Sequence, residues 1–128
     1  MNIGQAANAS GVSAKMIRYY ESIGLIPPAE RTGAGYRLYS DAEVHTLRFI
    51  HRAREFGFPI ERIRLLVSLW RERHPSREVK RVALEHVTEL DRRIAELTAM
   101  RDALQVLAER CHGDNRPECP ILSDLASA

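Results

Sequence analysis

The 128-residue chain has little of what marks several common protein classes. It carries only two cysteines, Cys111 and Cys119, so a disulfide-rich scaffold is excluded. In a reducing compartment a structural disulfide between these two is also a poor first assignment. The longest apolar stretch, Leu65-Leu66-Val67-Ser68-Leu69-Trp70, is far too short to cross a bilayer. Met1-Asn2-Ile3-Gly4-Gln5-Ala6-Ala7 lacks the basic and apolar regions of a signal peptide, which points to the cytoplasm. The glycines never gather into a phosphate-binding loop. The carboxylates form no paired arrangement for acid–base chemistry, and Cys111 has no Cys–His–acid constellation for nucleophilic attack. His45, His51, His74 and His86 are scattered, and none is assigned as a ligand. An enzyme is not expected.

Lysine is scarce as well: seventeen of the nineteen basic residues are arginine. Arginine is the side chain best suited to bidentate phosphate contact, although a genomic preference for arginine codons explains the excess equally well. The net charge of +2 is unevenly spread, +4 over residues 1–74 and −2 over residues 75–128. Such a balance suits nucleic-acid binding and also an ordinary solvated surface. A hydrophobic content of 45% and this length fit one folded domain with an extension.

Ile3 to Ala9 can form a short helix, followed by Gly11. Ser13 is a good N-cap for a second helix that stops at Gly24. In that helix Met16, Ile17 and Tyr20 can face inward, leaving Lys15, Arg18 and Tyr19 on the other side. Two short helices joined at a glycine, the second exposing basic and aromatic side chains, read as a helix-turn-helix. Pro27-Pro28 ends any helix, and Gly33-Ala34-Gly35 supplies a turn between Arg31 and Tyr36-Arg37-Leu38-Tyr39, hence a β-hairpin wing. Ser40-Asp41-Ala42-Glu43 is a capping box for a third helix that stops at Gly57. Ile60 to about Arg73 forms a fourth, with Ile63, Leu66, Val67 and Trp70 at helical spacing. A core position is the expectation for Trp70.

Ser76 is expected to cap a helix running to about Arg110 without Gly or Pro, roughly 50 Å long. Ala83, Val87, Leu90, Ile94, Leu97, Arg101, Leu104, Ala108 and Cys111 follow alternating steps of four and three, with Arg101 the one misfit. Sustained heptads argue for a two-stranded coiled coil and a homodimer; a helix folded back on its own domain is the alternative. A polar loop from Cys111 to Pro120 follows, then one apolar turn over Ile121–Leu125. The expected class is mainly α. A winged helix-turn-helix domain (residues 1–74) precedes a long dimerisation helix (76–110) and a C-terminal loop with a short helix (111–128).

Several of these segments resemble the MerR family. They are Met1-Asn2-Ile3-Gly4, Ile17-Arg18-Tyr19-Tyr20-Glu21-Ser22-Ile23-Gly24-Leu25-Ile26, Gly35-Tyr36-Arg37-Leu38-Tyr39, Arg52-Ala53-Arg54-Glu55-Phe56-Gly57-Phe58 and the long helix. Ser76, Val79-Lys80-Arg81 and Cys119-Pro120-Ile121-Leu122 resemble its CueR-like copper-efflux branch, whose gold-sensing relatives share these features. The resemblance implies a dimer with antiparallel long helices, so an antiparallel coiled coil. It implies binding to a dyad-symmetric operator in promoter DNA, with RNA polymerase holoenzyme controlled through metal-induced DNA distortion. It assigns Lys15, Arg18 and Tyr19 to the recognition helix, Arg31, Gly35, Tyr36 and Arg37 to the wing, and Arg54 to a phosphate contact. Tyr20, Tyr36 and Tyr39 have a competing role in the core, favoured for Tyr20.

Two thiolates satisfy a d10 monovalent ion in linear coordination, so the resemblance makes Cys111 and Cys119 ligands for Cu(I), with Ag(I) or Au(I) possible. A structural zinc site normally needs four ligands, and His112 and Glu118 lack clear partners. Divalent-sensing branches carry a cysteine at the start of the long helix, where this chain has Ser76. The substitution favours +1 over +2 ions. The alternative is a thiol switch that uses a reversible Cys111–Cys119 disulfide.

Overall fold

The computed structural model describes residues 1–127. Among them the elements run α1 (Ile3–Ser10), α2 (Ala14–Ser22), β1 (Glu30–Arg31), β2 (Arg37–Leu38), α3 (Asp41–Glu55), α4 (Ile60–Arg71), α5 (Ser76–Arg110) and α6 (Pro120–Ala126). The chain is mainly helical, as its periodicity implies. The residues group into two units, Met1–Val82 and Ala83–Ala128.

The first unit is punctuated by caps. Asn2 and Gln5 form a reciprocal capping box on α1, and Gly11 ends that helix at φ +80°. The Ser13 hydroxyl accepts from the Met16 amide at 3.2 Å to open α2. Ser40 does the same for the Glu43 amide at the start of α3, also at 3.2 Å. Each satisfies a donor that the first helical turn would leave bare. Between them the wing pairs antiparallel, with Glu30 opposite Leu38 and Arg31 opposite Arg37.

Ala6, Ile17, Tyr20, Ile26, Leu47, Ile50 and Ile63 meet in the core of this unit. α1 packs against both α2 and α3, and α3 against α4, so the apolar faces of the helix-turn-helix enter one common core. A smaller cluster joins Leu66 and Leu69 to Val82, which is 1% exposed, so the first turns of α5 belong to the first unit. Trp70 corrects the core expectation. It is 37% exposed and lies flat on Phe49, with ring centroids 4.5 Å apart. Of the three tyrosines with a competing core role, Tyr20 and Tyr39 are buried, while Tyr36 is 70% exposed. Ser76 is the first residue of α5 rather than a cap preceding it.

The second unit holds the rest of α5, the loop and α6. Val87, Ile94, Leu97 and Leu104 are exposed along α5, at the heptad spacing seen in the sequence. The final apolar turn extends to seven residues, with Pro120 at the start where its missing N–H costs nothing.

Candidate metal centre and nucleic-acid interface

In α2 the apolar spacing turns Ile17 and Tyr20 inward, which leaves Lys15, Arg18 and Tyr19 exposed together. Burial pushes the Tyr20 phenol above its usual range, with the Arg54 charge acting against it, so Arg54 lies near this helix. Arg54 itself is exposed. The carboxyl end of α2 is held from α4, where Arg64 Nη2 donates to the Ile23 carbonyl at 2.9 Å. Arg52 lies over the Phe56 ring at 4.5 Å, next to the glycine that ends α3.

The wing tip closes on itself. The Thr32 amide donates to the Tyr36 carbonyl at 2.8 Å, and the Gly35 amide donates to the Thr32 carbonyl at 2.9 Å. Gly35 has φ +88°, a conformation in which a side chain would be strained. Arg31 Nη1 donates to the Gly35 carbonyl at 2.8 Å. Tyr36 projects from this turn. Arg37 is half-buried and turned toward the body of the unit, where its Nε donates to Glu21 Oε2 at 3.0 Å. The first unit thus presents exposed cations and aromatics on α2 and on the hairpin, the chemistry needed to meet phosphates and base edges.

Cys111 directly follows α5, and its amide still donates to the carbonyls of Leu107 and Ala108, both at 3.2 Å. The helix therefore fixes its position. Gly113, at φ +64°, turns the chain. Asp114 then accepts from the Arg116 amide at 2.9 Å and from Arg116 Nε and Nη2 at 3.1 and 2.9 Å, a clip that shortens the loop. Cys119 caps α6, and its carbonyl accepts from the Ser123 amide at 3.1 Å.

The two thiols come together. Both are half-buried, and the Cys111 thiol lies close enough to Cys119 to favour its ionisation. The Leu122 amide at the start of α6 does most to hold the Cys119 thiol below its ordinary range; burial opposes it, and the Cys111 contact and the Ile121 amide add smaller downward contributions. The sulfurs line a cavity of about 130 Å³ with His112, Gly113, Pro117 and Glu118. Among the described residues no three His, Cys, Asp or Glu side chains gather as a metal cluster. Two adjacent soft donors, one biased toward thiolate, are suited to holding a soft metal ion.

Ser76 lies exposed in the first unit, lining a cavity with Trp70 and Val79. Three features escaped the sequence reading. The Asn2–Gln5 box was visible as Asn-x-x-Gln ahead of an apolar run. The links from Glu21 to Arg37 and from Arg64 to Ile23 join residues 16 and 41 positions apart, and no local signal reveals them.

Known proteins resemble this chain over nearly its whole length. Residues 1–69 match the model for the MerR HTH family regulatory protein, and residues 44–107 match MerR, DNA binding. The HTH-type transcriptional regulator HmrR of Sinorhizobium medicae is 58% identical over 127 residues, covering 98% of this chain and 86% of that protein. The HTH-type transcriptional regulator CueR of Salmonella typhimurium is 42% identical, covering 98% and 92%. Among solved structures, the transcription regulator PbrR691 of Ralstonia metallidurans in complex with lead(II) superposes with TM-score 0.80. It is 30% identical and covers 98% of this chain and 99% of that one.

Proposed function

Since this chain belongs to the MerR family of helix-turn-helix regulators, we propose that it is a metal-responsive transcription regulator whose effector is a monovalent soft ion. Cu(I) is the first choice, and Ag(I) and Au(I) accept the same donors. The observation that carries the reading is the contact between the Cys111 and Cys119 thiols in a small cavity, where the Leu122 amide favours the Cys119 thiolate. When bound, the ion supplies one positive charge, leaving the dithiolate pair at −1 rather than −2. Ser76 keeps the set at two sulfurs, because a cysteine there would add a third. As in the family, the helix start that carries Ser76 comes from the partner subunit.

The protein works as a homodimer in the cytoplasm, joined along the exposed stripe Val87, Ile94, Leu97 and Leu104. The helices pair as an antiparallel coiled coil. Lys15, Arg18 and Tyr19 meet a dyad operator in double-stranded promoter DNA, Arg31, Gly35, Tyr36 and Arg37 act from the wing, and Arg54 contacts phosphate. Control is indirect: the effector-loaded dimer bends and untwists the promoter. RNA polymerase holoenzyme can then engage it and express a metal-efflux or resistance gene. Among the described residues no helix is long and apolar enough to cross a membrane.

Anaerobic Cu(I) titration in cyanide or thiosulfate buffer tests the site. Tight binding is expected in the parent protein and lost in both Cys111→Ser and Cys119→Ser. Unchanged binding in the two variants sinks the assignment. The same thiol contact supports a second reading, a reversible disulfide switch. That reading requires peroxide to change DNA binding by the metal-free protein, with Cys111→Ser abolishing the response.

A further inference from the structure

Glu21 stands in the last turn of α2, where its charge has the wrong sign for the helix. The carboxyl end of a helix carries a partial negative charge, which disfavours an acidic side chain there. No basic residue in that turn offsets it. The side chain is also only 11% exposed, and hiding a carboxylate from water is unfavourable unless its oxygens are hydrogen-bonded. Both oxygens are. Oε1 accepts from the Ala29 amide, and Oε2 accepts from Arg37 Nε at 3.0 Å. Burial raises the carboxyl's affinity for its proton, but the Ala29 amide and the Arg37 guanidinium overcome it and hold Glu21 below the usual carboxylate range.

The partners are distributed in a telling way. Ala29 immediately precedes β1, and Arg37 opens β2, so one carboxylate at the end of α2 grips both strands of the wing. That grip is the compensation for a residue that opposes its own helix. We propose that Glu21 is a positioning residue that fixes the wing against the recognition helix, with Arg37 as its strut. The distance between the groove contacts of α2 and the flanking contacts of the hairpin is thereby set before DNA arrives. The inference rests on the proposed reading of α2 and the wing as the DNA surface. Preorganisation of this kind favours binding by removing the cost of ordering two elements at once.

The test uses full-length protein and the duplex that the parent protein enriches from a random-sequence pool, with anisotropy and hydroxyl-radical footprinting. Glu21→Gln keeps an acceptor for the Ala29 amide and removes the charge facing Arg37. Its operator affinity should fall about tenfold. Protection at the flanks of each half-site should weaken while protection inside it persists. A merely destabilised protein loses both together, so the footprint separates positioning from folding. Glu21→Gln combined with Arg37→Ala should bind no worse than Arg37→Ala alone, as required of two members of one strut. Equal affinity and an unchanged footprint in Glu21→Gln overturn the proposal. Arg18→Ala is the separate control: if it binds like the parent, or if the parent enriches no duplex, the DNA surface is wrong and not the role of Glu21 alone.

Discussion

Truncating Leu97 measures how much of the dimer rests on the exposed stripe of α5. Leu97 is 61% exposed in the single chain, beside Ile94 at 60% and Leu104 at 56%. If the stripe is the dimer seam, that exposure is what association removes. Leu97→Ala deletes about three carbons, each worth about 0.8 kcal/mol when buried. Scaled by the 61% still open, the loss is about 1.5 kcal/mol per chain and about 3 kcal/mol per dimer. The dissociation constant should rise roughly 150-fold. Sedimentation equilibrium over a range of concentrations reads it directly, with far-UV dichroism to verify that the helices persist. Val106→Ala is the control: Val106 is 44% exposed and stands on the other side of α5 from Leu104 and Ala108. An unchanged constant in Leu97→Ala, or an equal weakening in Val106→Ala, refutes the seam.

Val82→Ala should destabilise the first unit by about 2 kcal/mol, from two lost methyl groups and the small void left against Leu66 and Leu69. Urea titration should show a lower midpoint with an unchanged slope. Glu21 gives a pH signature. Its carboxyl lies below the ordinary range in the folded chain, so its stabilisation is full above the unfolded value and fades as pH falls through the folded one. Melting temperature should decline on acidification across that interval, and Glu21→Gln should flatten that part of the profile.

Much of the fold was legible because its signals are local. Ser13 and Ser40 announce helix starts through their own next turn, and Gly11, Gly24 and Gly57 mark ends that demand positive φ. The inward pair Ile17 and Tyr20 follows from a spacing of three, which at once identifies Lys15, Arg18 and Tyr19 as outward. Trp70 shows where such reasoning stops. Its spacing from Ile63 and Val67 continues the buried face, but helix α4 ends at Arg71, and its last turn reaches the rim. Periodicity gives direction around a helix and not depth beneath the surface. The thiol contact was only half legible. The spacing of Cys111 and Cys119 allowed a fold-back, whereas the clip of Arg116 on Asp114 and the amide of Leu122 depend on loop backbone that no pattern encodes. Glu21 lies inside the Ile17–Ile26 segment, yet no local pattern reveals its role, since its partners lie 8 and 16 residues away.

The cavity at the end of α5 is lined entirely from one short segment, Arg110 to Pro120, of which only Asn115 stays out of the lining. A chelate of this kind closes a short ring, and the unfolded chain can close the same ring at little entropic cost. Cu(I) held by the two sulfurs would therefore bind the denatured ensemble as well as the native one. Ligand stabilisation depends on the difference between those affinities and not on native affinity alone. Saturating copper should thus lift the melting temperature far less than its tight binding suggests. Thermal shift will under-report this ion, and the two-cysteine peptide excised from the chain should retain much of the affinity.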